Sequence, residues 1–179
     1  VDIYELYSGI GSMQKSAELT SPNPLSGDDF GFSMALHNNY LLIGAPGSDN
    51  GNGVVYLYRK DYTGEWIVVK TFENPNATID PSQSQKFGYN VQLNDKYIAI
   101  ASPFFNDGVV FVYDFNPESE NFTSARTTPM KVVDVRKLGD VEGCYAAGPD
   151  KFGFGVSMSF KNNKLLIGSL KEFVHLIEF

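Results

Sequence analysis

The sequence predicts an all-β fold, and three observations support this prediction. The chain has 179 residues and contains 14 Phe and 10 Tyr, and aromatic residues are enriched in strands. Short apolar runs are separated by clusters of Gly, Asn, Asp and Pro, as strands are separated by turns. The same order of runs and turns occurs three times, beginning at Phe30, Phe87 and Phe152.

This repeat has a period of about 60 residues and several strands in each copy, a pattern typical of propeller-like arrays. Residues 40–43 and 54–58 are apolar almost throughout, which indicates strands that are covered on both faces. Small sheets stacked face to face provide that cover. The predicted architecture is therefore a β-propeller of four-stranded antiparallel blades, here about three of them.

The whole chain, residues 1–179, is predicted to be one propeller region with ragged ends. Two strands at residues 1–7 and 13–19 end a preceding blade. The first full blade is expected to have strands near 30–36, 40–44, 53–59 and 66–72. The predicted boundaries are residues 1–29 for the end of the preceding blade, 30–72 and 87–136 for two full blades, and 152–179 for a partial blade. Three blades do not close a ring, so the chain is a fragment, shares a ring with other chains, or stacks into a fibre.

Polar turns join the first two strands of each repeat at Asn38-Asn39, Asn94-Asp95 and Asn162-Asn163. Tight hairpins need positive φ at both central residues, and Asn and Asp tolerate this better than other non-glycine residues. The same turn chemistry at the same offset predicts a hairpin in every copy.

Glycine, alanine and aromatic residues recur where neighbouring blades are expected to approach each other. Glycine leaves room for close backbone contact, and the preceding phenylalanine is predicted to act as a wedge between blades. The predicted blade-packing residues are Phe30, Gly31, Gly44, Ala45, Pro46, Phe87, Gly88, Phe152 and Gly153.

The pairing of Phe30-Gly31 with Gly44-Ala45-Pro46 resembles the FG-GAP repeat, found in the heads of integrin α-chains and in many surface proteins. The resemblance is strong in the first repeat, good in the second and degraded in the third. It implies a propeller, usually of about seven blades, with an extracellular role in adhesion, recognition or scaffolding.

Integrin-like members of this family carry an acidic calcium loop between the first two strands. Here that connection is only a two-residue turn, which offers too few oxygen ligands for calcium. The chain therefore resembles the calcium-free branch, and we predict no metal site and no cofactor. The segment 49–52, Asp-Asn-Gly-Asn, is interpreted as a plain turn.

Composition excludes several classes of partner. The net charge of −7 argues against nucleic acid and anionic membrane surfaces, which need clustered Lys and Arg. No apolar run approaches the ~18 residues of a membrane span, and membrane insertion is not predicted. The lone Cys144 provides neither an internal disulfide nor a metal cluster. The chain shows no signal peptide and starts without Met, so a processed or partial chain is expected.

Two sequons, at Asn76 and Asn121, lie in predicted loops that could carry glycans. Together with the scarcity of cysteine and the acidity, they favour an extracellular, secreted or cell-surface protein.

No catalytic motif is present, and no catalytic residue is predicted. The favoured interpretation is a non-enzymatic propeller for adhesion, for protein or glycan recognition, or for building a surface assembly or fibre from its own copies. The alternative is a propeller-type hydrolase or lyase acting on glycans, since catalytic groups can come from separate blades. Phe104 and Phe105 are candidate partner contacts at a loop tip, although packing under a neighbouring blade would also explain them.

Overall fold

The fold was analysed in a computed structural model, which describes residues 1–7, 11–77, 84–105, 108–118, 128–134, 155, 157–168 and 174–179. Within these residues the regular secondary structure consists of strands and one 3₁₀ turn, Asp49–Gly51. The predicted all-β class and the four-stranded antiparallel blades are confirmed. The described sheets do not close into a ring.

Four antiparallel sheets follow one another along the chain, and within each of them consecutive strands pair. The first sheet contains β1 (Asp2–Tyr7) and β2 (Ser12–Glu18). Blade one contains β3 (Ser33–His37), β4 (Tyr40–Ala45), β5 (Val54–Lys60) and β6 (Trp66–Glu73). Blade two contains β7 (Asn90–Leu93), β8 (Tyr97–Ser102), β9 (Val109–Asp114) and β10 (Lys131–Asp134). Blade three contains β11 (Ser157–Lys161), β12 (Lys164–Gly168) and β13 (Val174–Glu178).

The sheets stack face to face, with the first strands of the blades, β3, β7 and β11, next to one another. Strands at the centre of each blade are apolar on both faces because each face meets a different neighbour. In β4, Leu42 packs toward blade two, while Leu41 and Ile43 pack toward the first sheet. This explains the continuous apolar runs in the sequence.

The largest core lies between blades one and two. It includes the fully buried side chains of Leu42, Leu57, Phe87, Ile100 and Phe111. Complete burial of such a side chain stabilises a fold by about 1.5–3 kcal/mol. The contact between these blades is therefore a main source of stability in this chain.

The first strand of blade one begins later than predicted. Its predicted start was residue 30, but β3 begins at Ser33. Gly31 has a φ of +91°, and Phe32 donates its N–H to the Asp29 carbonyl at 3.0 Å. A turn with left-handed backbone therefore precedes the strand, since φ near +90° is incompatible with a β-strand.

The hairpin turns also differ in detail from the prediction. Only the first central residue, Asn38 in blade one and Asn162 in blade three, has positive φ among the described turn residues. In blade two the turn is centred on Asp95 and Lys96, because Asn94 pairs with Tyr97. There the Asn94 side chain accepts the N–H groups of Lys96 and Tyr97 at 2.9 and 2.8 Å. Because of this Asx-type turn, the hairpin of blade two forms without a residue of positive φ.

Alkaline pH is expected to destabilise the contact between the first sheet and blade one. Burial, followed by the neighbouring Tyr56, raises the pKa of Tyr58 to about 12, and its hydroxyl donates to the Thr20 carbonyl at 3.2 Å. The folded chain therefore holds this proton more tightly than the unfolded chain does. The free energy of unfolding should fall as pH rises from about 10 through about 12.

Tyr58→Phe should make this alkaline loss smaller, as measured by urea unfolding at about pH 9 and about pH 11. Burial also raises the pKa of Tyr113, so part of the loss should remain in the variant. An unchanged pH dependence in Tyr58→Phe would contradict the role given to Tyr58.

Candidate functional site

The phenylalanine of each described Phe-Gly pair packs between two neighbouring sheets, and each packs between a different pair of sheets. Phe30 packs on the rings of Tyr56 and Tyr58, with centroids 5.9 and 6.4 Å away, beside side chains of the first sheet. Phe87 is fully buried and packs edge-on against Phe111, with centroids 5.5 Å apart, in the core between blades one and two. These positions place both rings between neighbouring sheets.

The glycines provide the close approach of blades one and two. A Cβ on Gly44 would collide with the Gly88 carbonyl oxygen, and a Cβ on Gly88 would lie 2.7 Å from the Val55 Cγ2. The Ser33 hydroxyl donates to the same Gly88 carbonyl at 2.7 Å. Ala45 and Pro46, which follow Gly44, are buried. Only a residue without a side chain fits at either glycine.

Blade three uses a different glycine from the one predicted. Gly31 donates its N–H to Gly44, Gly88 donates to Ala101, and Gly155 donates to Gly168, each at 3.0 Å. Gly155 is thus the equivalent of Gly31 and Gly88, and the assignment of this position to Gly153 was wrong. Phe152 and Gly153 themselves lie outside the described residues.

The loop from Asp49 to Asn52 is hydrogen-bonded to the segment that leads into blade two. The Gly51 carbonyl accepts the N–H groups of Gln85 and Lys86, and the Asn52 carbonyl accepts that of Phe87, at 2.9–3.0 Å. The Asn52 side chain is buried and donates to Asp49 at 3.1 Å. The acidic and amide groups of this loop are therefore part of the scaffold.

Three aromatic side chains form a continuous group, which we call the aromatic row, at the sheet edge where β3 and β7 begin and β8 ends; its two outer members are exposed, and Tyr89 between them is half-buried. Phe32 lies 4.6 Å from Tyr89, and Tyr89 lies 5.5 Å from Phe104, measured between ring centroids. Phe32 is 52% exposed and Phe104 is 37% exposed. The row crosses from blade one to blade two, on the sheet edge that carries the loops between second and third strands.

The aromatic row includes one of the two predicted contact residues and excludes the other. Phe104 is exposed, whereas Phe105 is half-buried and packs on the core between blades one and two. Phe32 and Tyr89 were missed by the sequence analysis. Each directly follows the glycine of a Phe-Gly pair, so an aromatic residue at that third position was the available signal.

The opposite edge of the blades carries the hairpin turns, which contact each other between blades. The His37 Nε2 lies 2.6 Å from the Asp95 carboxylate. At the equivalent place in the next pair of blades, Asn94 donates to the Asn162 carbonyl at 3.1 Å. The turns that in integrin-like repeats would be calcium loops here connect neighbouring blades directly.

The other predicted sites are placed only in part. Asn76 is exposed in a loop fixed by the bond from its N–H to the Asn74 side chain at 2.9 Å. Asn121 and Cys144 lie outside the described residues. No three His, Cys, Asp or Glu side chains of the described part are grouped to hold a metal ion. In the same part of the chain, no helix is long and apolar enough to cross a membrane.

The geometry defines a chain of stacked propeller-type blades. Residues 13–58 match the family described as the FG-GAP repeat, which confirms the resemblance over these residues: the chain contains an FG-GAP repeat. No curated protein matches the chain significantly.

The matched segment runs from β2 to β5, so it contributes the last strand of one sheet and the first three strands of the next. Strands β6–β9 and β10–β13 repeat this arrangement of one last strand followed by the first three strands of the next sheet. Each repeat therefore connects two neighbouring sheets covalently.

Proposed function

We propose that this protein is a non-enzymatic recognition module of the extracellular or cell-surface environment, which binds a protein or glycan partner through the aromatic row. The contact of the exposed Phe32 and Phe104 through the half-buried Tyr89 carries this proposal. Adhesion and participation in a surface assembly are the roles that such a module would serve, and FG-GAP repeats are typical of proteins with these roles.

The aromatic row has the properties of a binding surface. Large aromatic side chains dominate interface energies because they bury a large area and lose little conformational freedom. Gly31 and Gly88, which precede Phe32 and Tyr89, are fixed by hydrogen bonds to their own blades. A partner would therefore meet rings that are already positioned, which lowers the entropy cost of binding.

Binding of a fluorescently labelled chain to a glycan array and to intact cells tests the proposal, with glycosidase or protease treatment of the cells separating the two partner classes. Phe104→Ala and Tyr89→Ala should each weaken binding about tenfold, which corresponds to about 1.4 kcal/mol. Tyr62→Ala is the matched control, because Tyr62 is an isolated aromatic that is 99% exposed. If Phe104→Ala and Tyr89→Ala bound as strongly as Tyr62→Ala and the wild-type chain, the aromatic row would be excluded as the contact.

Further sheets of the same type are proposed as partners at the two ends of the stack. Leu166 and Leu176 are paired on the outer face of blade three and are exposed. At the other end, Met34 and Leu36 pair with the buried Ile43 and Leu41, yet both are exposed. These faces match the kind of surface that blades one and two bury against each other.

The mass of the particle, measured by light scattering, tests the end faces. If copies of the chain cover each other's ends, particles larger than one chain should form, and Leu36→Asp or Leu176→Asp should reduce their size. A single-chain particle that melts cooperatively would contradict self-association through these faces.

The extracellular location is proposed from the repeat family and from the exposed sequon at Asn76. In a eukaryotic secretion host, the wild-type chain should gain the mass of an N-glycan that Asn76→Gln lacks. A secreted chain with the same mass in both forms would argue against use of this site.

A further inference from the structure

The hairpin turns of blades two and three enclose a cleft with a volume of about 520 Å³. It lies on the sheet edge opposite the aromatic row. Its wall contains Asp95, Lys96 and Tyr97 from blade two and Asn162, Asn163 and Phe179 from blade three. From these side chains we infer that the cleft binds one pyranose unit of a glycan. This inference extends the proposed recognition function to a second site.

The aromatic part of the wall is fixed by packing between the blades. The Tyr97 ring lies 4.9 Å from the Phe179 ring, with 34° between their planes, and 6.3 Å from the Phe160 ring, with 29° between their planes. At the equivalent contact between blades one and two, Tyr40 and Phe115 are nearly perpendicular, at 86°. A wall that combines apolar rings with a few placed polar groups is typical of small-molecule sites.

The polar part of the wall offers both donors and acceptors. Among the described residues, the second carboxylate oxygen of Asp95, the Lys96 ammonium, the Asn162 side chain and the Asn163 Oδ1 have no hydrogen-bond partner. A sugar hydroxyl both donates and accepts, so it can pair with each of these groups.

These polar groups are held in place before any ligand arrives. Asn94 fixes the Asp95–Lys96 turn through its two backbone bonds, and His37 holds one carboxylate oxygen of Asp95. Asn163 donates its Nδ2 to the Phe179 carbonyl at 3.1 Å, which directs the remaining oxygen of its carboxamide. Preorganised groups lose less entropy on binding.

Titration of the ¹⁵N-labelled chain with the methyl glycosides of glucose, galactose and mannose, and with N-acetylglucosamine, tests the cleft. At least one sugar should shift the backbone amides of Lys96 and Asn163 and the side-chain amides of Asn162, with millimolar affinity. Lys96→Ala and Asn163→Ala should weaken that binding at least about fivefold. Asn39→Ala changes the equivalent turn position of blade one and should leave binding unchanged.

Two outcomes would overturn the proposal that the cleft binds a sugar. The first is the absence of shifts with all four sugars. The second is a set of shifts that ignores the cleft or is insensitive to Lys96→Ala and Asn163→Ala. Shifts confined to Tyr89 and Phe104 would reject the cleft while supporting recognition by the aromatic row, so failures of the two proposals are distinguishable.

Discussion

Replacing Phe87 with alanine is expected to lower the free energy of unfolding by about 4 kcal/mol. Phe87 is fully buried between blades one and two and packs against Phe111 at 5.5 Å. Truncation would remove buried apolar surface and leave a cavity bounded by two sheets, which cannot close without moving the blades relative to each other. Urea unfolding followed by the fluorescence of Trp66 and by circular dichroism measures the effect.

Phe104→Ala is the matched control for this change. Phe104 is also a phenylalanine of blade two, but it is an exposed member of the aromatic row. Its truncation should cost about 1 kcal/mol, because the ring is partly exposed and its removal leaves no closed cavity between blades. Equal losses in the two variants would show that Phe87 does not occupy a closed contact between blades.

Gly88→Ala should lower the free energy of unfolding by about 3 kcal/mol. One part of this loss is backbone strain, since the φ of Gly88 is +87° and a left-handed residue with a side chain costs about 1–2 kcal/mol. The other part is overpacking. The new methyl group would lie 2.7 Å from the Val55 Cγ2 and 3.2 Å from the Val54 carbonyl oxygen.

Gly64→Ala separates these two contributions. Gly64 has a similar φ of +93°, but the nearest atom to a Cβ there is the Lys60 Cε at 3.8 Å. This variant should show the strain alone, about 1–2 kcal/mol, in the same urea unfolding experiment. If both alanine variants lost equal stability, blade one would not approach blade two at Gly88.

The blade architecture was predictable from the sequence because its signals are local and repeated. Phe-Gly pairs, apolar runs and Asn-rich turns recur with the strands that they begin or end. The continuous apolar runs also predicted that both sheet faces are covered. Leu42 and Leu41 show why: neighbouring residues of β4 pack against different sheets.

The third repeat was misassigned although its sequence contains the signal that resolves it. Two Phe-Gly pairs follow one another there, Phe152-Gly153 and Phe154-Gly155, and their spacing to the second strand distinguishes them. Gly155 precedes Gly168 by 13 residues, as Gly31 precedes Gly44, whereas Gly153 precedes Gly168 by 15. The hydrogen bond from Gly155 to Gly168 agrees with that spacing. In blade two, the Asn94 side chain moved the turn by one residue. A side-chain hydrogen bond to nearby backbone competes with the turn that backbone preference alone would predict.

The candidate binding sites depend on contacts between blades, which no local pattern contains. Phe32 and Tyr89 are far apart in the sequence, and they meet only because two glycines allow the blades to stack closely. The cleft between the turns likewise needs residues of two blades. The scaffold was therefore more accessible to prediction than the surfaces that it positions.

The nuclear Overhauser effect between Gly88 and Val55 tests the stacking of consecutive repeats most directly. The structure places a Gly88 Cβ position 2.7 Å from the Val55 Cγ2 and 3.4 Å from the Gly44 Cα. It therefore predicts strong cross peaks from the Gly88 Hα protons to the Val55 methyl and to the Gly44 Hα protons. Cross peaks from Gly88 only to its own blade would contradict the stacked-blade arrangement.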